Sequence, residues 1–110
     1  MDNMAENALL LDFYGSLLSQ RRRDIYHMRF CEDHTLTEIG EKLGISRQAV
    51  YVAISISQEY LEGYETKLKM IAHHKAARKG LDQLKTALDS GDIAESKRIL
   101  GLLDDLIMEG

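Results

Sequence analysis

Apolar residues recur along this 110-residue chain at intervals of three and four rather than two, and no proline interrupts them, so the pattern predicts helices and no strand. Leu9, Leu10, Phe13, Tyr14, Leu17 and Leu18 mark a first helix ending near Ser19. Ser19 can cap a second helix running from Gln20 to about Cys31, in which Ile25, Met28 and Cys31 face inward. Asp33 and His34 then form a loop.

Residues 35–54 carry the most specific pattern in the chain, that of a helix-turn-helix. Thr35 caps a short helix, and Glu38, three residues on, reaches back in a capping box. Ile39 and Leu43 form its inward face, and Gly40 falls where the two helix axes approach most closely. Gly44 gives the backbone freedom a tight turn needs, and Ile45 plugs that turn. Ser46 caps the next helix, whose Val50 and Ile54 turn toward Ile39 and Leu43. Its outward side begins with Arg47, Gln48 and Tyr51, placed where such a helix meets base edges.

The apolar rhythm continues past Ile54 through Ser57, Leu61, Tyr64, Leu68 and Ile71, which predicts one long helix to about residue 79, with Gly63 tolerated inside it. After Gly80, Leu81, Leu84 and Leu88 form a further stripe. A turn at residues 89–92 follows, with Asp92 and Glu95 at capping-box spacing, and Ile93, Leu100, Leu103, Leu106 and Ile107 carry the apolar face onward. The expected architecture is all-α: a helix-turn-helix domain over residues 1–65, and over 66–110 a helical extension and hairpin packed on that domain or used for dimerisation.

Composition narrows the function. The net charge of −4 opposes a simple polyanion binder, and residues 1–64 hold ten acids against six bases, whereas 65–110 hold eight of each. The local exceptions are Arg21, Arg22 and Arg23, and the span 67–79, which contains five Lys or Arg residues and no acid. Lys67, His74, Arg78 and Lys85, separated by 7, 4 and 7, would share one side of a continuous helix. The absence of an 18-residue apolar run and of a leader-like segment predicts a cytoplasmic protein. Cys31, the single cysteine, allows no internal disulfide and is expected as a small buried side chain. His27, Cys31 and His34 would supply three zinc ligands without a fourth, so no metal or other cofactor is expected. No glycine-rich phosphate loop and no nucleophile–base pair is present, and the adjacent Asp104 and Asp105 diverge on a helix, so the chain does not read as an enzyme.

The segments Leu-Asp-Phe-Tyr-Gly-Ser-Leu-Leu at 11–18 and Ser-Arg-Gln-Ala-Val-Tyr at 46–51 resemble the YlxM family, with the likeness spanning about residues 8–70. That resemblance implies a small bacterial protein similar to region four of sigma factors, with a regulatory or accessory role in the signal recognition particle pathway. The chain departs from the family's usual polar and basic continuation after the tyrosine. Here residues 52–57 are Val-Ala-Ile-Ser-Ile-Ser, with no cation between Arg47 and Lys67. Val52, Ile56 and Tyr60 therefore form a second apolar stripe, to be covered by the C-terminal hairpin, by a second subunit or by a partner protein.

Two functions fit the residues. In one, the chain is a nucleic-acid-binding regulator that reads DNA or structured RNA with Arg47, Gln48 and Tyr51 and holds phosphates with Arg21, Arg22, Arg23, Lys42 and Ser46. In the other, it is a module that dimerises and binds a signal recognition particle component through Val52, Ile56 and Tyr60.

Overall fold

The structure is a computed structural model that describes residues 4–109, and every regular element among them is helical. In chain order these are α1 (Met4–Tyr14) with a 3-10 turn at Gly15–Leu17, α2 (Gln20–Phe30), α3 (Leu36–Leu43), α4 (Arg47–Leu68), α5 (Met70–Asp89) and α6 (Ile93–Glu109). The chain divides after Lys69 into two compact units. No helix among the described residues is long and apolar enough to cross a membrane.

In the first unit α4 is the spine on which α1, α2 and α3 pack. It buries Val50, Ile54, Ser57 and Leu61 along one side, a 4-3-4 spacing that keeps one helical face inward. Ser57 is tolerated there because its hydroxyl donates to the Ala53 carbonyl at 2.8 Å. α1 contributes Leu10, Leu11 and Tyr14 to the same core and also a buried Asn7. The Asn7 Oδ1 atom accepts from the Tyr26 hydroxyl at 2.9 Å and from Gln58 Nε2 at 3.3 Å, so one carboxamide joins α1, α2 and α4. α1 ends sooner than the apolar spacing predicts: its last turn tightens to 3-10 form, and Leu18 is extended before Ser19 accepts from the Arg22 amide.

Three expectations need correction. Cys31 is exposed at the end of α2, and the inward side there belongs to Tyr26 and Phe30, whose rings stack with centroids 4.5 Å apart. Second, α4 does not reach residue 79. It stops at Leu68, and Lys69 turns left-handed at φ 54, a conformation costing a non-glycine residue roughly 1 kcal/mol. The apolar row continues in sequence, but Leu68 is half exposed and does not extend the buried seam. Third, Gly80 does not end a helix. α5 runs through it, because the glycine is where α6 comes closest: a Cβ at residue 80 would lie 2.5 Å from Leu103 Cδ2.

That contact defines the second unit, an antiparallel hairpin of α5 and α6. Ala87, Ser96 and Ile99 are buried between them. The turn closes with Asp92 N–H donating to the Ala87 carbonyl at 2.9 Å, and the Asp92 carboxylate caps α6 by accepting from the Glu95 amide at 3.0 Å. The reciprocal half of the anticipated capping box is replaced by an ion pair between Glu95 and Arg98.

Two glycines of the first unit separate steric need from simple helix propensity. Gly63 lies in mid-α4 with nothing within 4 Å of a built Cβ, so Gly63→Ala should raise stability by up to about 1 kcal/mol. A Cβ at Gly40 would meet the Ile45 carbonyl oxygen at 2.7 Å, so Gly40→Ala should lower stability by about 1–3 kcal/mol. Urea unfolding of both variants followed by circular dichroism checks the opposite signs.

Candidate nucleic-acid interface

The reader region is assembled by local chemistry. The Thr35 hydroxyl accepts from the Glu38 amide at 3.1 Å while the Glu38 carboxylate accepts from the Thr35 amide at 2.8 Å, which fixes the start of α3. At its end Gly44 takes φ 69, and the Gly44 and Ile45 amides both return to the Gly40 carbonyl. Ile45 then lies over Gly40, and Ser46 starts α4 by accepting from the Ala49 amide at 3.0 Å. That bond uses one lone pair of the Ser46 hydroxyl and leaves its O–H able to donate outward.

Arg47, Gln48 and Tyr51 all emerge on the exposed side of α4's first turn and a half. Among the described residues none of their side chains has a hydrogen-bond or ion-pair partner, so the three present their full recognition chemistry to solvent. Arg47 and Tyr51 border a shallow concavity of ≈ 390 Å³ shared with Arg29, Thr35, Ser55 and Gln58. Arg29, Ser55 and Gln58 were not singled out from the sequence. Arg29 reaches the groove from the far end of α2, held by the His34 carbonyl at 3.4 Å and lying 3.8 Å from Asp33. The i+4 and i+7 spacing of Ser55 and Gln58 from Tyr51 was the signal available for the other two.

The chain is matched over residues 1–99 by a family model described as "Putative helix-turn-helix protein, YlxM / p13 like". It belongs to the YlxM / p13-like family. A UPF0122 protein of Symbiobacterium thermophilum is 40% identical over 103 residues, covering 94% of this chain and 96% of the relative. UPF0122 proteins of Halalkalibacterium halodurans and Caldanaerobacter subterraneus are 37% and 39% identical, covering 96% and 79% of this chain and 95% and 74% of their own lengths.

The other candidate residues of this YlxM / p13-like chain do not all gather at the reader. Lys42 is exposed in the last turn of α3, on the same motif. Arg21, Arg22 and Arg23 lie elsewhere. The Arg22 guanidinium stands 5.7 Å from the centre of the Tyr60 ring, thirteen residues beyond Arg47 and hence about 20 Å farther along α4. Arg23 lines a separate recess between α1 and α2. Of the second apolar stripe, Val52 and Tyr60 are exposed and Ile56 is half-buried. Lys67 stands on a different helix from His74, Arg78 and Lys85, so the 7, 4 and 7 spacing does not make a single helical stripe. His27 Nδ1 lies 2.8 Å from the Glu32 carboxylate, and among the described residues no three His, Cys, Asp or Glu side chains converge as a metal would need.

Charge is organised more locally than the acidic N-terminal half suggests. Between Glu41 and Glu59 the chain carries Lys42 and Arg47 and no carboxylate, so the first turns of α4 bring no acid of their own, and the carboxylate at the groove's Arg29 is Asp33, 3.8 Å away. Glu38 lies close by and stays ionised, its carboxyl held below its usual range by the Thr35 amide and then by the Thr35 hydroxyl. A carboxylate so lowered contributes stability that is fully present above its unfolded value of 4.5 and lost as pH falls through its lower folded value. Glu38→Gln keeps an acceptor for the Thr35 amide without the titration. Thermal unfolding from pH 6 to pH 3 should therefore show a shallower acid decline in Glu38→Gln than in the parent protein, and parallel declines would count against the capping assignment.

Proposed function

We propose that this protein binds nucleic acid through the α3–α4 motif, with the first turns of α4 entering a groove and Arg47, Gln48 and Tyr51 reading base edges. The reading is supported chiefly by one observation: these three exposed side chains lack intramolecular partners and stand in a run that contains cations and no acids. Arginine can donate twice to guanine, and glutamine can bond adenine with donor and acceptor together. Lys42, Arg29 and the Ser46 hydroxyl supply phosphate contacts beside the readers, while Arg21 and Arg22 reach a more distant stretch of backbone. The protein acts in the cytoplasm as a non-enzymatic accessory or regulator of the signal recognition particle pathway, the role implied by its resemblance to YlxM proteins.

The exposure of Val52 and Tyr60 favours a second reading, in which that stripe docks a protein component of the same pathway. Fluorescence anisotropy against labelled duplex DNA and signal recognition particle RNA separates the two. Neutralising about four phosphates, one each for Lys42, Arg29, Arg21 and Arg22, should give a log–log salt slope near −3.6. Arg47→Ala combined with Tyr51→Ala should weaken binding at least about tenfold, whereas Val52→Gln should not. Folded protein that binds neither polymer at low salt would remove the nucleic-acid reading and direct attention to the apolar stripe.

A further inference from the structure

The α5–α6 hairpin exposes more apolar surface than a finished two-helix unit should. Leu81 and Leu88 on α5 are 47% and 55% exposed, and Ile93, Leu100 and Ile107 on α6 are 57%, 52% and 75% exposed. Their placement is regular. Leu81 and Leu88 are seven residues apart, as are Ile93, Leu100 and Ile107, the repeat that keeps one helical edge against a neighbouring helix.

These five side chains share one face of the hairpin. Leu81 and Leu88 each follow by one position a residue of the inner seam, Gly80 and Ala87, and Leu100 and Ile107 likewise follow Ile99 and Leu106. One position is a rotation of about 100° in the same sense along each helix. Because the helices face each other and run in opposite directions, equal rotations away from the seam lead to the same side. Gly80 lies against Leu103, so Leu81 is roughly level with Leu100, and Leu88 with Ile93 near the turn. The result is two parallel apolar rows.

We infer that this face binds the same face of a second copy of the chain, forming a four-helix dimer. A two-fold axis along the hairpin lays the α5 row of one copy over the α6 row of the other and brings matched levels together, the self-complementarity an isologous contact requires. The area suffices. If a free leucine or isoleucine exposes about 180 Å², the five fractions leave roughly 500 Å² per copy, at the upper end for one patch on a monomer. Two copies then bury about 1,000 Å² from these side chains alone, the threshold a specific contact has to clear, and the polar residues flanking the two rows add to it. The α4 stripe is smaller, and part of Tyr60 is already stacked under Arg22. This inference is independent of nucleic-acid binding.

Sedimentation equilibrium of the full chain at micromolar concentration should give a dimer. Leu81→Gln combined with Leu100→Gln should weaken association at least about tenfold with helical content unchanged, while Val52→Gln with Tyr60→Gln leaves the dimer intact. Should the hairpin variant lose helicity, Ile107→Asp reads the same face from the end of α6, where three-quarters exposure makes it harmless to the hairpin itself. A parent protein that stays monomeric would overturn the inference and assign the face to another occupant. A dimer undisturbed by Ile107→Asp, or one broken only by the α4 variants, would overturn it equally.

Discussion

The angle between α3 and α4 depends on an absent side chain. At residue 40 the Ile45 carbonyl oxygen lies where a Cβ would stand, so the turn can descend onto α3 only over glycine. From that approach the rest follows. Gly44 can reverse the chain within one residue, Ser46 falls where it can cap, and the first turn of α4 points Arg47, Gln48 and Tyr51 away from the core. A wider crossing would separate Ile39 from Val50, both wholly buried, and would lose the packing that holds the reader in place.

A second constraint is polar. Asn7 occupies a position in α1 where a leucine would pack more simply, yet its carbonyl oxygen accepts from both Tyr26 and Gln58. Apolar packing tolerates small slips, whereas a buried carboxamide missing a partner carries a penalty of about 1–3 kcal/mol. The triad therefore favours one register of α1 and α2 against α4. Gln58 also borders the groove that contains Arg47, so the core and the reader face share a residue.

Much of this was legible in the chain itself, wherever a feature is decided by neighbours in sequence. The capping box of Thr35 and Glu38, the left-handed Gly44 and the Ser46 cap are local chemistry and lie where the spacing put them. Features decided by distant partners were not legible. The row from Val50 to Ile71 reads as one seam, but nothing in the pattern announces that Lys69 turns left-handed without the glycine or asparagine that usually marks such a site. Gly80 has the sequence signature of a stop and serves as a close contact, a difference that exists only once Leu103 is opposite it. Tyr26 and Phe30 displaced Cys31 from the core for a similar reason, since which flank of α2 turns inward is settled by α1 and α4. Arg29 reached the reader groove by folding, from eighteen residues upstream of Arg47.

The length of α4 has an electrical consequence. Its 22 residues align their peptide dipoles over about 33 Å, so the end carrying Arg47 is also the positive pole of the helix, equivalent to roughly half an elementary charge. This charge belongs to the backbone and is missing from any tally of lysine and arginine. Glu59 and Glu62 lie toward the opposite, negative pole, which separates sign along the helix further. A chain that is anionic as a whole thus offers an approaching polyanion a cationic tip.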